Sequence, residues 1–135
     1  MGRKRGAKGR KDLDLPKDIG SLDGKDINEI AEKMGEKHQG NKTQVRKIYN
    51  DIKKIQVDWN AVENKEEEIQ ETISALNLVR PKLAYAAARK KDLGSLKKEI
   101  DDLIENLNEE VEDVENFFKL MESFIGYHRY FTEKR

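Results

Sequence analysis

Apolar residues recur along this chain at intervals of three and four, the period that places side chains on one face of an α-helix. The pattern is clearest over Asn41–Val57, where Val45, Ile48, Tyr49, Ile52 and Ile55 form one stripe and Thr43 is the expected N-cap. A shorter stripe of Ile27, Ile30, Ala31 and Met34 predicts a first helix over Asp26–His38, with Gly35 and Gly40 marking its end and the loop beyond. Trp59 follows the second helix and reads as a core or interface anchor rather than a base-stacking platform. Val62, Ile69, Ile73 and Leu76 predict a third helix, whose acidic block Glu63–Glu71 is expected to face solvent. Asn77 and Pro81 predict a break. A new helix then starts with Pro81 in its first turn, where a missing N–H has no intrahelical partner to lose. Val79, Leu83, Ala86 and Ala87 form its core-facing side.

Gly94-Ser95 reads as a turn followed by an N-cap. From there a stripe runs through Leu96, Ile100, Leu103, Ile104 and Leu107, and continues in phase through Val111, Val114, Phe118, Met121 and Ile125. One long helix and two helices broken near Asn106–Asn108 both fit it. Phe117, Met121, Phe124, His128 and Phe131 fall at heptad-like spacing, and Phe118 and Ile125 widen that face. A helix apolar over so wide an arc requires neighbours on more than one side, as core or as subunit interface. Tyr127, His128, Arg129 and Tyr130 mix aromatics with donors, for packing or for RNA contact.

With only two prolines and nine glycines, this periodicity predicts an all-α protein, a compact bundle of about five helices. The length of 135 residues fits one domain. Residues 1–25 divide into a basic stretch, Met1–Lys11, expected to be a disordered arm, and a linker over Asp12–Gly24 containing Pro16, Gly20 and Gly24; residues 26–135 form the helical domain. The absence of cysteine excludes disulfides, thiol catalysis and cysteine-ligated zinc. No apolar run approaches the roughly 20 residues that span a bilayer, and no apolar segment follows the basic start, so a cytoplasmic location is expected.

Lys and Arg total 27, and so do Asp and Glu, so bulk charge points to no partner and only its segregation carries information. Leu78–Lys91 is rich in basic and small residues and free of acids, with Lys82, Tyr85 and Arg89 on one helical face. Two long cations around an aromatic suit a phosphate chain and a stacked base; the plainer reading is a solvated helix edge. The second helix carries Arg46, Asn50 and Lys53 in one row and Lys47 and Lys54 in the next, interrupted by Asp51. Glu99, Asp101, Asp102, Glu105, Glu109, Glu110, Glu112, Asp113 and Glu115 read as an exposed acidic face of the last stripe. His38 and His128 do not make a paired-His motif, and no Walker loop or GxGxxG occurs. No metal, no cofactor and no enzymatic activity are expected.

Three blocks carry a resemblance. NKTQVRKIYNDI, then LVRPKLAYAAAR, then FFKLMESFIGYHRYF are similar, in that order, to the small helical subunit of the type III-A CRISPR effector, the Csm complex. The similarity covers about Asp26 to Phe131 and leaves the basic arm outside. It implies a compact helical subunit without catalytic activity. Several copies would stack along the effector, beside the large subunit and the repeat-type backbone subunits, and contact the phosphates of the single-stranded target RNA. Carried onto this chain, the implied RNA-binding positions are Arg46, Lys82 and Arg89, with Lys47, Lys53, Arg80 and Lys90 flanking. Tyr85 and Tyr127 are either contacts or packing residues. The alternative is a helical protein-interaction module or dimer, docking through the wide apolar C-terminal face without touching RNA.

Overall fold

A computed structural model describes residues 13–134, with side chains placed through Glu133. The basic arm expected over Met1–Lys11 lies outside the described residues. Every regular element among the described residues is helical: α1 Gly24–Lys37, α2 Lys42–Ala61, α3 Lys65–Asn77, α4 Arg80–Arg89, α5 Gly94–Glu105 and α6 Val111–Lys134, with short 3-10 turns at Ile19–Ser21 and Lys91–Leu93. The all-α bundle expected from the periodicity is what the chain forms.

The aromatic stretch is the spine of the bundle. Val114, Phe117, Phe118, Leu120, Met121, Phe124 and His128 of α6 are all buried, against α1, α2, α3 and the first 3-10 turn. Most of the wide apolar face therefore finds its neighbours within the chain, with Ile125 and Phe131 partly buried. Trp59 is buried as expected of a core anchor, and Lys65 closes the end of α2 by donating to the Trp59 carbonyl at 2.9 Å and the Val62 carbonyl at 3.3 Å.

The in-phase stripe after Leu96 is two helices. The chain leaves α5 at Asn106 and re-enters helix at Val111. Asp113 is buried beside this break, and its carboxylate accepts the Asn108 N–H at 2.7 Å. Fixing a backbone donor outside the helix is a role short acids take readily.

Several local expectations are corrected. Gly35 does not end α1, which continues to Lys37. It lies buried where α1 and α6 cross: a Cβ there would sit 2.5 Å from the Tyr127 Cβ and 2.8 Å from the His128 backbone nitrogen. The chain reverses at Gly40 and Asn41 instead, both in the left-handed region with φ of 93° and 49°. Asn41, and not Thr43, precedes α2, and it makes no side-chain cap bond. Ser95 lies within the first turn of α5 because the 3-10 turn Lys91–Leu93 runs straight into that helix. A true capping box begins α1, where Asp23 accepts the Asp26 N–H at 2.9 Å and Asp26 accepts the Asp23 N–H at 3.2 Å.

The stretch read as a linker is packed from Leu13 onward. Ile19 is fully buried, and Leu13, Leu15 and Leu22 lie against the core. The Asn116 amide of α6 donates to the carbonyls of Ile19, Gly20 and Leu22 at 3.0, 3.3 and 3.1 Å. Turn-rich composition hid three leucines and an isoleucine able to reach the core.

The acidic face also has two exceptions, Asp113 and Glu99, both buried. Glu99 accepts from Lys37 Nζ at 2.6 Å and from His38 Nε2 at 2.8 Å. Burial alone would raise its carboxyl, but the hydrogen bonds and charges of His38 and Lys37 outweigh that and hold it below the ordinary value. A charge in an acidic run reads as solvated by composition, and only the α1–α5 contact brings it inside.

Candidate nucleic-acid interface

The N-terminal half of α2 and the whole of α4 run side by side in opposite directions. Lys82 Nζ at the start of α4 stands 3.9 Å from the Asp51 carboxylate midway along α2. At the other end, the Asn41 amide donates to Asp92 at 3.0 Å. Between these ties lies a groove with a cavity of about 690 Å³, lined by Thr43, Gln44, Lys47, Ile48 and Asp51 on one side and Pro81, Lys82, Tyr85, Ala86, Arg89 and Lys90 on the other.

Helical spacing explains the lining. On α2, Gln44, Lys47, Ile48 and Asp51 follow i, i+3, i+4, i+7, and on α4, Lys82, Tyr85, Ala86 and Arg89 do the same. Val79 and Leu83 are buried, which turns the Lys82–Arg89 side outward. The groove thus collects four cations and one carboxylate, with no acid in the first turn of α2 to oppose the positive end of that helix.

The groove is not uniform along its length. By the register that the two ties fix, Arg89 and Lys90 stand toward the Asn41–Asp92 end, level with Gln44 and Thr43, and Lys47 stands level with Ala86. Lys82 and Asp51 oppose one another at the far end. The middle is mostly apolar, made by Ile48, Ala86 and the ring of Tyr85, with Lys47 beside it. Tyr85 is 66% exposed, and the Arg89 guanidinium lies over its ring at 5.8 Å from the centroid.

The seven basic positions singled out in the sequence separate in space. Lys47, Lys82, Arg89 and Lys90 line the groove and are exposed. Arg46 is exposed on the next face of α2, close enough to His128 for its charge to oppose protonation there. Lys53 stands 3.5 Å from Glu122 of α6. Arg80 is held on α5, donating to Asp101 at 2.9 Å and Glu105 at 2.8 Å, with a further bond to Asn77 at 3.0 Å. Tyr127 donates to Asn28 at 2.6 Å and stacks on Phe131, so it packs, whereas Tyr85 faces the groove. Asp51 was visible in the sequence only as an interruption of a basic stripe. Its place opposite Lys82 depends on a helix pairing that no local signal announces.

Among the described residues, no group of three His, Cys, Asp or Glu is placed to hold a metal ion, and no helix is long and apolar enough to cross a membrane. His38 is committed to Glu99. His128, on the other side of Phe124, donates from Nε2 to the Gly40 carbonyl at 2.8 Å.

Fold and groove together define a small all-α protein with four exposed cations on one groove in a molecule of zero net charge. Its sequence matches the family model described as Csm2 Type III-A over residues 21–134, and the chain belongs to that family. It is a small subunit of the type III-A CRISPR-Cas effector, the Csm complex. No curated protein and no solved structure matches it.

Proposed function

We propose that this subunit works without catalysis, contacting the backbone of the single-stranded target RNA through the α2–α4 groove, independently of sequence. The observation that carries the reading is the convergence of Lys47, Lys82, Arg89 and Lys90 on one groove. Cations of this kind neutralise phosphates and position a strand without reading bases. Sequence is then read by guide–target pairing, as in other RNA-guided systems. Arg46 extends the basic surface along α2. Lys53 and Arg80 act from the flanks, each already bound to an acid of this chain.

One groove engages few phosphates and binds weakly alone. Several copies stacked along the effector, beside the large subunit and the repeat-type backbone subunits, convert weak sites into avidity on one strand. The acidic surface of α3 and the α5–α6 break turns the strand toward the basic groove or meets basic surfaces of neighbouring subunits. The cytoplasm, where the target RNA is found, is the proposed location.

The test is fluorescence anisotropy of an unstructured single-stranded RNA across a salt series, comparing wild type with Lys47→Glu/Lys82→Glu/Arg89→Glu, both checked by circular dichroism. Each neutralised phosphate contributes about −0.7 to the slope of log K against log salt. The three cations changed therefore account for a slope of about −2, and the variant should lose that share together with affinity. Equal binding and equal slope in a folded variant would remove the groove from RNA contact.

A further inference from the structure

The distribution of charge along the groove fits more than a phosphate chain. Arg89 and Lys90 stand toward one end, Lys47 beside a mostly apolar centre, and the Asp51 carboxylate against Lys82 at the other end. A flat neutral group lying over the centre would meet Ile48, Ala86 and the Tyr85 ring.

We propose that the groove seats a single unstacked nucleotide of the RNA strand, its base against Tyr85 and its phosphate among Lys47, Arg89 and Lys90. The proposal rests on the RNA reading above and adds the base to it. Three features carry it. Tyr85 is 66% exposed, and it stands in the middle of the groove. The Arg89 guanidinium at 5.8 Å from the centroid orients the ring and leaves the rest of its surface to the groove. The cavity of about 690 Å³ lies within the range of ordinary small-molecule sites, large enough for a nucleotide.

The residues from Thr43 to Asp51 span about 12 Å along α2 at 1.5 Å per residue. That length is enough for one splayed nucleotide and its flanking phosphate. At the far end, Asp51 accepts and Lys82 donates, which offers the edge of a base or the 2′-hydroxyl a polar partner. Stacking on a π-face is tolerant of base identity, so the site reads the presence of an unpaired base and not its sequence.

The experiment uses the full chain, with a single-stranded RNA carrying 2-aminopurine, read both by anisotropy and by 2-aminopurine fluorescence. An abasic ribose-phosphate strand of equal length is the second ligand, and Tyr85→Phe and Tyr85→Leu are the variants, with folding checked by circular dichroism. Wild type and Tyr85→Phe should quench the fluorophore. Tyr85→Leu should bind roughly ten-fold more weakly, in line with the loss of one base–aromatic stack, and should not quench. The abasic strand should bind wild type about as weakly as the normal strand binds Tyr85→Leu. If Tyr85→Leu binds and quenches like wild type, or the abasic strand binds equally well while the salt slope is intact, the base is not seated and only the phosphate reading survives. If wild type binds no strand up to millimolar protein, both readings fall.

Discussion

Gly35 sits where the backbones of α1 and α6 meet, and the obstruction a methyl group would face is main chain: the His128 nitrogen at 2.8 Å. No side-chain rotation relieves that overlap. Alanine is intrinsically better than glycine in a helix by about 1 kcal/mol. Overpacking of about 1–3 kcal/mol works against it. Gly35→Ala should therefore lower the melting temperature, whereas Gly126→Ala on α6, with nothing within 4 Å of its Cβ, should raise it. Thermal melts of the two variants beside wild type test the crossing. Glu99 is the other residue whose importance is out of proportion to its exposure. Its removal leaves the Lys37 ammonium and His38 without the acceptor they share, with both side chains less than a tenth exposed. Breaking a buried ion pair from one side is destabilising by about 3–5 kcal/mol, and Glu99→Ala should show a loss of that size in denaturant titration. Neither position was legible in the sequence. A glycine near the end of a stripe resembles a C-cap, and a glutamate in an acidic run resembles solvated surface.

At the scale of elements, the stripes gave helices, while the signals at their ends were overruled. Thr43 and Ser95 are good capping residues by chemistry. The chain enters α2 through the left-handed Asn41 and enters α5 from a 3-10 turn, so neither hydroxyl stands at the boundary. The segment from Leu13 to Leu22 shows the reverse case, an element invisible to periodicity that tertiary contact creates. It has one short turn, a few apolar side chains and the three carbonyls gathered by Asn116. Asn116→Ala removes all three bonds and leaves those carbonyls near a buried site. Hydrogen exchange of the amides of residues 19–22 should then accelerate well beyond that of the α2 core, with a stability loss of about 1–3 kcal/mol. Unchanged exchange there would mean that the apolar contacts alone hold the segment.

For the whole molecule, the two buried titrations act in the same direction. Burial lowers the His128 pKa from its usual 6.5, aided by the charges of His38 and Arg46 and only partly opposed by the bond to Gly40. The unfolded chain then binds this proton at a higher pH than the folded one does. Stability from His128 is full above 6.5 and falls as pH drops below it. Glu99, held below 4.5, contributes stability that is present above 4.5 and is lost as pH falls through its folded value. Melting temperature should decline in two stages on acidification, the first starting near pH 6.5. His128→Gln should flatten the first stage and leave the second, which thermal melts across a pH series would resolve. Net charge of zero conceals an asymmetry at this scale as well: a basic α2–α4 groove on one side, acids of α3 and the α5–α6 break elsewhere.

Sequence alone determined the helical class, the apolar stripe of α6, the outward side of α4 and the family, because each rests on a period or motif contained within one segment. The pairing of α2 with α4, the partners of Arg80 and Lys53, the burial of Glu99 and the position of Asp51 beneath Lys82 were decided by tertiary structure. Each is a contact between residues far apart in the chain, and a helix can direct the same charged row at solvent, at an acid or into a groove. Only the packing of its neighbours selects among them.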